Sequence, residues 1–153
     1  MLKEMGAAKR ARLVAAARLS PMADPAVRYP RWYLQRWHFL PEGYFSERSV
    51  RWYERLILPL YNMGQATAVY AAVAREIAGT EPLTIVQLGC GPGVGIETVR
   101  ATSPEAEVIG IDLSPFMLEA ARARLGETTE RVRLIHADAR SIPLESGSVD
   151  AVF

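Results

Sequence analysis

The sequence predicts an α/β fold, a parallel sheet wound with helices behind a separate helical N-terminal segment. Two observations carry this. Four short apolar runs, at residues 83–88, 108–111, 132–136 and 149–153, alternate with stretches of helical character, and the first three lead into a glycine loop or a carboxylate: Gly89, Asp112 and Asp138. Charge and aromatic content also divide the chain. Residues 1–60 carry 11 Lys/Arg against 5 Asp/Glu, whereas residues 61–153 carry 7 against 12, and nine of the 13 aromatic residues precede residue 61. Two regions with different tasks are expected, a helical and aromatic-rich segment over 1–64 and a sheet domain over 65–153.

Composition limits the class of protein. Of 153 residues, 50% are hydrophobic and 23% charged, the make-up of a globular domain with enough apolar side chains for a core. One cysteine, Cys90, rules out an intrachain disulfide, and a reducing, cytoplasmic setting is expected. The first 19 residues mix Lys3, Glu4, Lys9, Arg10, Arg12 and Arg18 with alanines. No apolar run approaches the roughly 20 residues that cross a bilayer, so neither a signal peptide nor a spanning helix is read there.

The elements follow in order. Residues 2–19 are rich in strong helix formers and stop before Ser20-Pro21 and Asp24-Pro25. Between Tyr29 and Phe45, aromatics alternate with Arg, Pro and Gly, which predicts short helical turns. Ser46 can cap a helix with Val50, Tyr53, Ile57 and Tyr61 at helical spacing, which Pro59 must kink or end. A further helix over 65–78 shows Val69, Val73 and Ile77 on one face, with Gly79 as its terminating glycine. The run 83–88 then feeds Gly89-Cys90-Gly91-Pro92-Gly93, and a short helix to about Ala101 leads by Ser103-Pro104 to the second strand, ending on Asp112. Ser114-Pro115 is an N-cap with proline at the first helical position, and Gly126 is the matching C-terminal glycine. The third strand is followed by Asp138, and the fourth spans 149–153.

Strands joined through helices form a parallel sheet, whose ligands bind outside the carboxyl ends of the strands. Glycines in the first loop allow backbone N–H groups to approach a ligand closely. The dinucleotide pattern G-x-G-x-x-G requires glycine where this chain has Val94 or Ile96, which disfavours a nicotinamide-dependent oxidoreductase. Asp112 stands 19 residues after Gly93, where a carboxylate can accept hydrogen bonds from both hydroxyls of a ribose. Asp138 can accept one from an exocyclic adenine amine, and Leu113, Phe116 and Met117 can wall the ring. Together they describe a pocket for an adenosine-bearing molecule. Asp112 as the start of an Asx turn and Asp138 as a solvated loop residue remain the structural alternatives.

Residues 85–93 (IVQLGCGPG), Gly110-Ile111-Asp112-Leu113-Ser114 with Met117-Leu118, and His136-Ala137-Asp138-Ala139 through Ile142-Pro143-Leu144 to Asp150 resemble, in order, the motifs of class I S-adenosylmethionine-dependent methyltransferases, in the manner of the type 11 small-molecule group. The likeness covers about residues 65–153. It implies a Rossmann-like sheet of strand order 3-2-1-4-5-7-6, of which this sequence holds the N-terminal part, apparently truncated after the fourth strand. It further implies S-adenosylmethionine as cofactor, with Gln87, Gly89, Cys90, Gly91 and Gly93 at the methionine part, Asp112 at the ribose, and Leu113, Met117, Asp138 and Ala139 around the adenine. Many relatives place an acidic residue where this chain has Gln87, which can accept a hydrogen bond but carries no charge.

No catalytic residue is named and no metal ligand set is expected. Cys90 reads as a small buried filler, His136 as a strand residue and His38 as a member of an aromatic cluster. The expected acceptor of the methyl group is a small or lipophilic molecule. Nucleic acid is disfavoured by a pI near 7.9. The aromatic, arginine-bearing N-terminal segment is expected to be a lid or substrate-side wall, or to contact a lipid surface. A non-catalytic module binding cofactor or a partner protein stays open beside the enzyme.

Overall fold

The computed structural model describes residues 5–62, 66–81, 83–126 and 130–153. Its elements are α1 (Ala7–Ala17), α2 (Glu47–Trp52), a π-helical turn (Tyr53–Ile57), α3 (Leu58–Asn62), α4 (Ala66–Ala78), β1 (Thr84–Leu88), α5 (Val94–Thr102), β2 (Glu107–Asp112), α6 (Pro115–Leu125), β3 (Val132–His136) and β4 (Ala151–Val152). Among the described residues, no helix is long and apolar enough to cross a membrane.

The four strands form one parallel sheet in the order β3-β2-β1-β4, as the sequence leads one to expect. Register places Ile85 beside Val108 and Val86 beside Ile109, and the two-residue period of a strand sends these pairs to opposite faces. On one face, Ile85 and Val108 pack with Ala74 and Ile77 of α4, Ile96 and Val99 of α5, and Leu118 and Leu125 of α6. On the other, Val86, Ile109 and Ile111 meet Ala137, with Leu144 and Val149 of the loop before β4 packed against them. Burial on both faces explains why β1 and β2 read as near-continuous apolar runs. Gly110 lies against the first of these layers. A Cβ there would stand 2.5 Å from Ile96 Cδ1 and 3.0 Å from both Cys90 Sγ and Leu134 Cδ2.

Several local expectations hold in detail. Ser46 Oγ accepts the Ser49 N–H at 3.2 Å, and Ser114 Oγ accepts the Met117 N–H at 3.2 Å with Pro115 behind it. Gly126 closes α6 with φ of 60°. Others are corrected. The basic N-terminal helix is shorter than residues 2–19, whereas the stretch from Tyr29 to Phe45 forms turns as expected. Pro59 does not end its helix, because the preceding turn widens: Leu58 N–H reaches back to the Tyr53 carbonyl, and the helical path continues to Asn62. Gly79 is not left-handed. Its N–H continues the helix to the Arg75 carbonyl, Thr80 closes the turn on the Ile77 carbonyl, and the positive φ of 49° falls at Glu81. The expected start of that helix at Gln65, and the division between residues 64 and 65, lie outside the described residues.

The N-terminal aromatics have a definite seat. Tyr33 and Phe45 are buried with Met5, Leu13, Ala17 and Leu113, and Tyr29, Tyr44 and Phe116 pack against them. Tyr29 and Tyr33 meet the Phe45 ring edge-on, with centroids 4.8 and 5.5 Å away. Among the polar contacts that fix this segment to the sheet domain are those of His136 and Ser114. His136 Nδ1 accepts the Asp24 N–H at 2.9 Å, so its proton is on Nε2, 3.1 Å from the Leu113 carbonyl. Ser114 Oγ, already the cap of α6, donates to the Tyr44 carbonyl at 2.5 Å.

Candidate cofactor site

The carboxyl ends of β1, β2 and β3 open onto a cavity of about 390 Å³. Its floor is Gly89 and Gly91, its near wall Ile111, Asp112, Leu113 and Met117, and its far wall Ala137 to Arg140. Trp32, Tyr33, Tyr44 and Tyr53 complete the enclosure. Seven of the ten expected site residues therefore meet here: Gly89, Gly91, Asp112, Leu113, Met117, Asp138 and Ala139.

Gly91 has φ of 53°, and a Cβ built on it or on Gly89 would meet no atom within 4 Å. It would stand in the open cavity, so at these positions glycine keeps the floor accessible to a ligand. Asp112 holds that floor in place. Its Oδ2 accepts the Gly91 N–H and its Oδ1 the Ser114 N–H, each at 2.8 Å. The Asx turn and the ligand-facing carboxylate are thus one arrangement. Each oxygen keeps a further lone pair, the capacity needed to accept from two vicinal hydroxyls. Burial pushes the Asp112 carboxyl up to about 6, against the opposing pull of the N–H groups of Ser114, Gly91 and Leu113.

Asp138 is engaged differently. The Arg140 guanidinium grips it from Nε to Oδ1 at 3.0 Å and from Nη2 to Oδ2 at 2.6 Å, which holds the carboxyl below its usual range. Arg140 in turn lies 5.6 Å from the Trp32 ring centroid.

Residues 85–153 match the family model described as a methyltransferase domain. Trans-aconitate 2-methyltransferase of Methylobacterium radiotolerans is 57% identical over 44 residues, covering 29% of this chain and 17% of that enzyme. Malonyl-[acyl-carrier protein] O-methyltransferase of Legionella pneumophila is 39% identical over 72 residues, covering 47% of this chain and 25% of the relative. Among solved structures, the SAM-bound amino pentose methyltransferase of Micromonospora echinaspora superposes with a TM-score of 0.50 at 33% identity, over 62% of this chain and 39% of that one. The chain thus spans a quarter or less of the length of the two curated relatives.

Three expected site residues lie outside the cavity lining. Cys90 is buried beside Gly110. At Gly93, with φ of 83°, a Cβ would come within 3.1 Å of Ala121 Cβ, so this glycine allows α5 to start close against α6. Gln87 is 3% exposed and its amide lies under the first turn of α5, where a Cβ on Gly95 would be 2.4 Å from Nε2. Its Oε1 is buried with no hydrogen-bond partner among the described residues. Replacing Gln87 with Met should therefore raise stability by about 1 kcal/mol, read from urea unfolding.

Sequence reasoning assigned no individual aromatic to the cavity, where Trp32, Tyr33, Tyr44 and Tyr53 lie, and it missed Arg140. Tyr33 remains a phenol, since burial and then the charge of Asp112 push its titration far up. Tyr44 OH is hydrogen-bonded to His38 Nδ1, and burial holds that imidazole below its usual range, which favours its neutral form. The concentration of aromatics before residue 61 was the available signal. Which of them face the cavity depends on tertiary packing.

Proposed function

We propose that this chain binds S-adenosylmethionine in the cavity above β1–β3 and serves methyl transfer to a small or lipophilic molecule in the cytoplasm, with residues 1–64 as the lid and substrate-side wall. The observation that carries the reading is Asp112: a buried carboxylate that orders an open glycine floor and retains acceptor capacity. The relatives support the reaction class, being named for action on trans-aconitate, on malonyl-[acyl-carrier protein] and in ubiquinone/menaquinone biosynthesis. When bound, the cofactor supplies an electrophilic methyl group on a sulfonium.

In this proposal Asp112 accepts from the two ribose hydroxyls, and Gly89 and Gly91 let the methionine part lie against backbone. Leu113 and Met117 wall the adenine, beside Asp138 and Ala139. The aromatic residues exclude water from the remaining space. Alignment within the enclosure supplies much of the acceleration. Calorimetric titration with S-adenosylmethionine tests the binding directly, and an absence of heat with properly folded protein would overturn it. A second reading, a module that binds cofactor without catalysis, is favoured by the uncharged Gln87 turned away from the cavity. Methyl transfer to any acceptor would remove it.

Binding should depend on pH with a definite sign. Asp112 is raised to about 6, so it is ionised at neutral pH and protonates below that value. Protonation removes acceptor capacity, and the cofactor dissociation constant should rise by about tenfold per pH unit below 6. Fold stability responds oppositely at this residue: its contribution is fully present below the unfolded carboxyl value and is lost as pH rises through about 6. Titrations across this range would show affinity falling where the apoprotein gains from Asp112.

A further inference from the structure

The outer face of the helical run α2 to α3 carries apolar side chains in the open. Trp52, Leu56 and Leu60 recur at four-residue intervals and are 50, 44 and 70% exposed, while Phe39 beside them is 100% exposed. Phe39 and the preceding His38 have φ of 62° and 49°, a left-handed conformation costly for bulky residues, so the surrounding packing holds this ring outward against local preference. Leu40, next in the chain, is buried and anchors the turn. Phe39, Arg48 and Trp52 border one shallow groove, and Arg48, Arg51, Trp52, Arg55 and Leu56 border the next.

Charge on this face is predominantly positive. Glu47 is paired to Arg51 at 3.3 Å, and Glu42 borders the first groove with Arg12 at 3.9 Å. Glu54 is engaged elsewhere, with Arg124 of α6 at 2.8 Å. An apolar stripe flanked by arginines matches a surface that presents apolar chains beneath anionic groups. Arginine stems lie along the apolar layer while their guanidinium heads meet the anions.

We propose that this face docks on an anionic lipid surface, with Phe39, Trp52, Leu56 and Leu60 entering the interface and Arg48, Arg51 and Arg55 meeting the headgroups. The placement bears on the cavity, because His38 is hydrogen-bonded to the cavity-lining Tyr44, and Tyr53 lines the cavity from the helical run that carries Trp52. Docking brings the aromatic wall beside the bilayer, and the acceptor class becomes a lipophilic molecule resident there. That last clause rests on the methyl-transfer reading, whereas the docking does not.

The test is sedimentation of the full chain with vesicles of phosphatidylcholine alone and of phosphatidylcholine with equal parts phosphatidylglycerol. The chain should co-sediment with the anionic vesicles and be released as salt rises. Phe39→Ser with Trp52→Ser should weaken binding by roughly tenfold or more, and replacing Arg48, Arg51 and Arg55 by Gln by about fivefold each. Circular dichroism and S-adenosylmethionine affinity, measured on the same preparations, should stay at the parent's values. Absence of co-sedimentation, equal binding to neutral vesicles, or parent-like binding by the variants would overturn the proposal. So would self-association abolished by the same substitutions, which would assign the face to a second copy. Loss of cofactor binding with vesicle binding intact would instead remove the methyl-transfer reading alone.

Discussion

Asp112→Ala is expected to weaken S-adenosylmethionine binding by roughly a hundred- to ten-thousandfold, in a protein that still folds. Hydrogen bonds to a charged acceptor contribute about 1.5–3 kcal/mol each, and two ribose hydroxyls lose their acceptor together. At about 1.4 kcal/mol per tenfold, this gives about two to four orders of magnitude. The effect on the fold is smaller because opposing contributions meet at this side chain. The substitution relieves a buried carboxylate raised to about 6, but leaves the Gly91 and Ser114 N–H groups without their acceptor. Calorimetric titration beside thermal unfolding separates the two. Parent-like affinity would show that Asp112 orders the loop without touching ribose.

Gly110→Val should act on the fold, costing about 3 kcal/mol. The first added carbon would already sit 2.5 Å from Ile96 Cδ1 and 3.0 Å from Cys90 Sγ and Leu134 Cδ2, and valine brings two further methyl groups. Ile96 is fully buried, so its side chain has little space into which to retreat. With a urea slope of about 1–3 kcal/mol per molar, the midpoint should fall by roughly 1–3 M. An unchanged midpoint would mean that α5 can lift from the sheet at little cost. Gly110→Ala should lie between parent and valine, since its single methyl demands only part of the same displacement.

The parts of the fold that were legible in the sequence are those determined locally. The glycine loop after β1, the Ser114-Pro115 start of α6 and its Gly126 end each follow from backbone geometry within a few residues, the parallel direction of β1 to β3 follows from their helical connections, and the strand order is what the family resemblance implies. Gln87 shows a signal that was present but overlooked. A two-residue period places it on the face of Ile85, toward α5, rather than at the ligand, and Gly95 is the small residue that makes room for it. Asp138 was read by its place after β3, while its partner Arg140, two residues on, was not considered. The aromatic wall was illegible for another reason. Trp32, Tyr33, Tyr44 and Tyr53 come from an irregular segment and a π turn, with no periodicity to fix the direction of a side chain.

Ser114 joins the two halves of the cavity mechanically. Its N–H donates to Asp112, its hydroxyl oxygen accepts from Met117, and its hydroxyl proton goes to the Tyr44 carbonyl. A displacement at the carboxylate cannot be absorbed there without turning the helix cap, stretching one of these bonds or moving the Tyr44 backbone. Floor and roof therefore behave as the two arms of a lever pivoting on a single serine, and the space left for a second molecule is set in part by how the first is held.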